Sequence, residues 1–498
     1  MNAASAVVND VVATAGGTLW EWIVLPVVIG LGLYFTIRTK AVQLRMIPAM
    51  FRTLTDVTPR KANGKPQSIS AFQAFTVSAA SRVGVGNIAG VATALAVGGP
   101  GAIFWMWTMA FFGGATSFVE STLGQAYKTK DKDGFRGGPA YYITRGLNAR
   151  WAGILFAVVL IACFPFAFSS LQANNIVGAV GGAIDGDAPS TLPLIIGVVV
   201  AALTALVIFG GIRRIASVTQ TLVPAMALIY LIIGLIIVGM NITEVPRVFA
   251  EIYAGAFGFQ SIAGGAIGTI ILVGVQRGMF SNEAGLGSAP NAGASAAVTH
   301  PAKQGLVQTL GVYFDTFLVC SITAFIILVT NPDLAAADRG VDLTQQAVVS
   351  SLGDWAGILL AVVIFLLAFS SILGNYYYGE SNLEFITENS IALTIYRVFV
   401  VLAVLGGSVA SADLIWDTAD GMMGIMALVN LVAIALLGGV AFKLLKNYQE
   451  QRAAGKEPVF TRDQLPEVRG IELWVDEDSV TGPIPLVRHK KSDRAQQR

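Results

Sequence analysis

Apolar residues in this chain gather into long runs separated by short polar connections, and the runs have the length of membrane-crossing helices. A hydrocarbon core about 30 Å thick needs roughly 20 residues of α-helix. Eleven runs approach that length: about 20–38, 71–95, 101–126, 152–180, 190–209, 215–240, 261–278, 305–330, 354–378, 390–411 and 419–442. The pattern predicts an all-α polytopic membrane protein. Two runs, 71–95 and 261–278, are poor in large apolar side chains and studded with glycine. Gly84, Gly86 and Gly90 lie in the first; Gly264, Gly265, Gly268, Gly274 and Gly278 lie in the second.

With the first run set aside, ten remain, and they divide into 71–240 and 261–442 with five spans each. An odd number makes the second set enter the bilayer from the opposite side, which is the arithmetic of an inverted repeat. The expected organisation is an extracellular segment 1–19, a transporter domain 20–445 and a cytoplasmic tail 446–498, basic and disordered from Arg488.

Charge orients these spans, because cytoplasmic connections collect lysine and arginine. Arg38, Lys40, Arg45, Arg52, Arg60, Lys61 and Lys65 crowd the connection after the first run, and Lys128, Lys130, Lys132, Arg136, Arg145 and Arg150 the one after the third. Alternate connections are nearly bare, with Arg247 in one and Arg339 in another. The N-terminus is therefore expected outside and the C-terminus in the cytoplasm of a multi-pass cell-membrane protein.

Composition agrees. Hydrophobic residues make up 54% of the chain and charged ones 13%, against about a quarter charged in soluble domains, so the surplus apolar surface faces the lipid bilayer. A net charge of +1 argues against nucleic acid. Cys163 and Cys320 sit in apolar runs and suit buried thiols. His300 and His489 fall in a connection and in the tail, without neighbours at metal-ligand spacing.

Paired weak helices at corresponding places in two halves are the sequence pointer to a transporter binding site. An unwound stretch frees backbone groups that lipid cannot satisfy. Freed N–H groups at a half-helix start suit a carboxylate, and freed carbonyls suit Na⁺ or an ammonium group. The alternative is that the same glycines only permit close helix packing.

Four stretches carry a family resemblance: VGVGNIAGVATALAVGGPGAIFWMW at 83–107, GGPAYYITRGL at 137–147, QRGMFSNEAGLGSAP at 276–290 and FSSILGNYYYGE at 369–380. The chain from about 20 to 445 resembles the alanine/glycine:cation symporter family. That resemblance implies a LeuT-type 5+5 inverted-repeat core preceded by one extra helix, and a small amino acid such as alanine or glycine moved with Na⁺, or in some members H⁺. It implies that Gly84, Val85, Gly86 and Asn87 hold the substrate carboxylate, with Gln172 beside it. The Gly274–Met279 stretch, with Gly278 and Met279, would form the opposite wall. A sodium site would join Ser370 and Ser371 to the carbonyls of Ala80 and Val83, the alternative being that each serine bonds back to its own helix.

Three positions depart from the family's usual pattern. Arg82 and Val85 flank the glycines, and Asn375 stands where members often carry tryptophan beside the substrate; these changes open the pocket to a larger or more polar amino acid. An arginine in mid-span is costly and marks a functional site. Arg82 is expected to pair with Glu120 or Asp315, to meet an anionic substrate group, or to stand in for a cation. Glu120 and Glu283 are expected near cytoplasmic helix ends, capping or gating with Arg213 or Arg277. Asp315 suits either an ion ligand or helix packing. No run shows the continuous polar face of a channel, and histidine is absent from every run, which disfavours a membrane-embedded enzyme. Nothing in the sequence sets an oligomeric state.

Overall fold

A computed structural model describes residues 14, 16–61, 63–132, 134–184, 189–257, 264–334, 340–476 and 480–481. Residues 1–13, Arg339 and the basic end from Arg488 lie outside the described residues. Among the described residues the regular structure is helical apart from one short antiparallel hairpin, β1 (Thr129–Asp131) against β2 (Gly134–Arg136), and two isolated bridges.

A helix falls at each of the eleven apolar runs. In chain order they are α1 (Leu25–Arg38), α2 (Ala71–Arg82) continued by α3 (Ala89–Gly98), and α4 (Gly101–Ala126). A short α5 (Pro139–Gly146) precedes α6 (Arg150–Ile161), which passes through a π-helical turn (Ala162–Phe168) into α7 (Ser169–Gly181). Then come α8 (Leu192–Ile208), α9 (Gly211–Met240), α10 (Val245–Ala256) and α11 (Gly264–Asn282), with α12 (Ala289–Ser295) after it. The helix α13 (Pro301–Tyr313) runs through a second π turn (Phe314–Cys320) into α14 (Ser321–Val329). The last are α15 (Asp342–Leu352), α16 (Trp355–Ile386), α17 (Ser390–Val409) and α18 (Ala412–Ala453). By length and hydropathy eight helices can cross a membrane among the described residues, or nine with the bent pair α2/α3 counted as one span. The remaining two runs fold as α8, a shorter apolar helix, and the glycine-rich α11.

The first glycine-rich run breaks as expected. A capping box starts α2: Gln73 N–H donates to Ser70 Oγ at 3.1 Å, and Ser70 N–H to Gln73 Oε1 at 3.0 Å. The helix stops when Val83 leaves the helical region at φ −82°, ψ 83°, and α3 departs at 60° to α2.

The second glycine-rich run does not break where its glycines stand. The helix α11 is continuous through Gly268, Gly274 and Gly278. A Cβ on Gly274 would meet Trp105 Cβ at 2.6 Å, and one on Gly278 would meet Met106 Cα at 3.2 Å. These two glycines serve close packing on α4, the alternative that lipid-embedded helices commonly use. The interruption comes later, between α11 and α12, where Glu283 (φ +58°), Gly285 (φ +87°) and Gly287 (φ +79°) are left-handed. Three such residues in five cannot continue a right-handed helix.

Beyond α18 the chain folds back on the helix ends. Phe460 and Trp474 are buried with their rings 5.9 Å apart, and Trp474 Nε1 donates to Gln125 O at 3.3 Å. Lys128 lies 4.4 Å from the Trp474 ring.

Candidate functional site

The break between α2 and α3 is buried throughout. Gly84 N–H donates to Asn87 Oδ1 at 2.9 Å, and Val85 N–H donates to Gln172 Oε1, from α7, at 3.1 Å. A Cβ on Gly84 would collide with Ser371 Oγ and stand 3.2 Å from Gln172 Oε1. Glycine is therefore needed here for close approach. A Cβ on Gly86 would lie 2.9 Å from the Phe280 ring of α11. Of the residues expected around a substrate carboxylate, Gly84, Val85, Gly86, Asn87 and Gln172 come together.

The two serines of α16 part company. Ser371 Oγ donates to Ala80 O, on α2, at 2.9 Å and also lies 3.1 Å from Leu367 O. Ser370 Oγ donates to Leu367 O of its own helix at 2.8 Å, with Met226 Sδ at 3.5 Å. Ser371 thus bridges α16 to the end of α2, while Ser370 bonds back. Val83, the other expected carbonyl, is buried one residue before Gly84.

On the opposite wall the break faces Phe280 and Ser281. Gly278 is turned to Met106 and Met109 of α4, and Met279 lies with its Cε 3.5 Å from where a Gly285 Cβ would be. Asn375 is held in a network: Ser81 Oγ lies 2.7 Å from Asn375 Oδ1 and 2.6 Å from Glu283 Oε1, and Ser288 Oγ donates to Glu283 Oε2 at 2.6 Å. One hydroxyl carries one hydrogen. Turning the Asn375 amide lets Nδ2, otherwise unpartnered, donate to Ser81 Oγ, which then donates to Glu283. Asn375 thereby ties α16 to both interrupted helices.

The expected ion pairs of the buried acids do not form. Glu120 accepts from Gly285 N–H and Gly287 N–H, both at 3.2 Å, and from Asn430 Nδ2 at 2.8 Å. It holds the second interruption from inside the bundle and pairs with neither Arg213 nor Arg277. Arg277 instead pairs with Asp420 of α18, its guanidinium 5.0 Å from the Trp416 ring. Arg82 donates through Nη1 to Gln308 O at 3.1 Å; among the described residues its Nε and Nη2 have no hydrogen-bond partner, so it meets neither Glu120 nor Asp315 directly. Asp315, in the second π turn, accepts from Asn87 Nδ2 at 2.6 Å, Ser281 Oγ at 2.8 Å and Thr316 Oγ1 at 2.9 Å.

Aromatic rings close the other side of the break. Phe280 packs on Phe168 at 4.9 Å and on Trp416 at 5.4 Å. Beyond Trp416 lies a cavity of about 230 Å³ lined by Trp20, Thr93, Arg277, Asp417 and Asp420. The three-ring cluster and the role of Glu120 escape a linear reading, because their partners lie far off in sequence. The left-handed turn had a signal in Glu283-Ala284-Gly285-Leu286-Gly287, where glycines alternate just past the apolar run.

Outside the spans, burial pushes the Lys128 ammonium down to about 7, while Ala296 O at 3.3 Å and two ring faces favour its charged form. His300 is lowered to about 3 by burial. Its Nδ1 accepts from Ala302 N–H at 3.1 Å, so Nε2, 3.1 Å from Asn447 Oδ1, carries the proton of a neutral ring.

Comparison with known proteins adds a consistent set. A family model described as the sodium:alanine symporter family matches residues 5–462. The amino-acid carrier protein AlsT of Bacillus subtilis is 49% identical over 469 residues, spanning 94% of this chain and 98% of that protein. A probable sodium/glutamine symporter of the same organism, GlnT, is 46% identical over 475 residues, 95% of this chain and 98% of its own. The sodium/alanine symporter AgcS of Methanococcus maripaludis is 37% identical over 452 residues, 89% of this chain and 98% of its own.

Proposed function

The chain belongs to the sodium:alanine symporter family, and from that premise we propose that it is a secondary active transporter coupling inward Na⁺ movement to uptake of a small neutral amino acid such as alanine or glycine. The observation that carries the reading is the first break, where two consecutive backbone N–H groups, of Gly84 and Val85, are each met by a side-chain amide oxygen. A substrate carboxylate offers the same two acceptors with a full charge. It would displace Gln172 Oε1 from Val85 N–H, leaving the Gln172 amide to turn toward the ligand. Charge-assisted hydrogen bonds of this kind are roughly twice as strong as neutral ones.

Sodium is assigned to the oxygens of Ala80, Val83, Leu367 and Ser371. Ser371 Oγ already reaches Ala80 O and Leu367 O, and a cation there would take all of them as ligands. Ser370 is a weaker candidate, since its hydroxyl serves its own helix. Phe280, Phe168 and Trp416 would be the outer cover of the site and the Arg277–Asp420 pair its bolt. The architecture proposed is the 5+5 inverted repeat after one extra helix, eleven spans in all, with the N-terminus outside and the C-terminus in the cytoplasm. What supports it is that each half opens with an interrupted helix, α2/α3 and α11/α12.

Uptake of labelled L-alanine into proteoliposomes, against a panel of unlabelled amino acids with and without Na⁺, tests the reading. Alanine and glycine should compete and Na⁺ should stimulate. Competition by glutamine alone would move the substrate, and stimulation by a pH gradient in place of Na⁺ would move the coupling ion to H⁺. Ser371→Ala should abolish most Na⁺ stimulation while Ser370→Ala keeps most of it; equal effects would remove the proposed site.

A further inference from the structure

We propose that the segment after α18, residues 457–474, is a strap that holds the two repeats together on the cytoplasmic face and sets how often the inward route opens. The proposal rests on the repeat, orientation and transport reading above. Its starting point is which parts of the chain the segment joins. Glu457 reaches Lys303 of α13, in the second repeat, at 2.5 Å and Arg52, in the connection leading to the first, at 3.3 Å. Lys303 is itself buried and pairs with Asp56 of that connection at 2.7 Å. Phe460 N–H donates to Thr299 O at 2.9 Å and Thr299 Oγ1 to Pro458 O at 2.8 Å, a two-bond clasp on the second repeat. Further along, Trp474 Nε1 donates to Gln125 O at the end of α4, and Glu472 pairs with Arg145 of α5 at 2.9 Å; both partners belong to the first repeat.

The strap grips a seam beside the first broken helix. Two residues before Thr299, Ala297 N–H donates to Ile69 O at 2.9 Å, and Ser68 Oγ donates to Ser295 O at 2.6 Å. The next residue after Ile69 is Ser70, the cap of α2. Gln125 Nε2 and Lys128 Nζ donate to Ala296 O at 2.9 and 3.3 Å, and the Lys128 ammonium lies against the Trp474 ring. Carriers of this architecture alternate by rocking or gating one repeat against the other. Inward opening must therefore part 68–69 from 295–297, and the strap spans that seam. Its own hold is reversible. Within 456–476 the regular structure is a single turn, Arg462–Gln464, and segments with few internal hydrogen bonds open locally at low cost. The Glu457–Arg52 pair is 48% and 58% exposed, and such pairs contribute little. Phe460 and Trp474, both buried, are the anchors. A fastening of this strength biases the equilibrium between closed and open seams without forbidding opening.

Hydrogen exchange and L-alanine uptake by the full-length protein test the strap, with Trp474→Ala and Glu457→Gln as variants. Releasing it populates the inward-facing state, and apparent affinity for a ligand arriving outside falls with the outward-facing fraction. Without substrate, exchange across 66–73 and 293–300 should rise several-fold, more in Trp474→Ala than in Glu457→Gln, while exchange across α10 on the opposite face stays at the wild-type rate. In right-side-out vesicles the half-saturating L-alanine should rise several-fold. Exchange that rises only within 457–474, with the seam and the half-saturation unchanged, would make the segment a passive tail and overturn the proposal. Glu457→Gln decides alone should Trp474→Ala not fold. A wild type that takes up no amino acid would instead sink the parent reading, and the exchange comparison would still decide whether the segment fastens the seam.

Discussion

Single atoms decide what the first break can do. Gly84 is required because Ser371 Oγ and Gln172 Oε1 occupy the space a side chain would fill. Gly84→Ala should therefore abolish uptake, since any shift that admits the methyl separates the proposed sodium and carboxylate groups together. Loss of Na⁺ stimulation and of L-alanine counterflow in the same variant, at normal expression, is the expected result; retention of either would show that the two groups are separable. Asn87 was legible as a polar residue in the break and Gln172 only through the family resemblance, and the present partners of both were not. Hydrogen bonds spanning 87 and 228 positions of sequence leave no trace in local pattern. Ser370 and Ser371 look identical in the sequence; a helical step of about 100° separates their directions, and only one meets α2.

At the scale of elements, the two interrupted helices reach the same end by different chemistry. The first is opened by glycines that admit neighbours; the second is turned by left-handed residues and held by a buried carboxylate. Glu120 organises that second turn, accepting two backbone N–H groups and the Asn430 amide. Glu120→Gln keeps the shape but turns one acceptor into a donor facing Gly285 or Gly287. A buried group left unsatisfied costs about 1–3 kcal/mol. The variant should unfold at a lower temperature in detergent, and hydrogen exchange should rise first across 283–288; exchange unchanged there would deny Glu120 this role. Gly274 and Gly278 teach the complementary lesson. Glycine in an apolar run signals either a break or a close contact, and α4 lying against α11 decided for contact.

For the whole molecule, the segment after α18 is a fastening on the helix ends. Glu457 bridges Lys303 at 2.5 Å and Arg52 at 3.3 Å, and His300 packs between Tyr448 and Phe460 at ring distances of 5.3 and 5.7 Å. The buried ring titrates near 3, below the unfolded value of about 6.5. The unfolded chain therefore takes up the proton first. His300's contribution to stability is whole above pH 6.5 and is lost as pH falls toward 3. The midpoint of thermal unfolding should drop between pH 7 and pH 5 in the wild type, and less steeply in His300→Gln. Equal slopes would exclude His300 as the group responsible.

Much about this protein was determined by its sequence alone. Long apolar runs, lysine and arginine in alternate connections and a glycine-rich run at 71–95 specify a polytopic helical bundle with a break at Gly84–Asn87. These are local or composition-wide properties, set by bilayer thickness, charge and backbone sterics that act on each segment separately. Only the tertiary structure decided where the second helix breaks, which serine faces α2, and that Arg82 and Glu120 satisfy backbone rather than each other. Those outcomes depend on which side chains from distant segments reach the same buried atom, and a polar group removed from water bonds to whatever the packing places beside it.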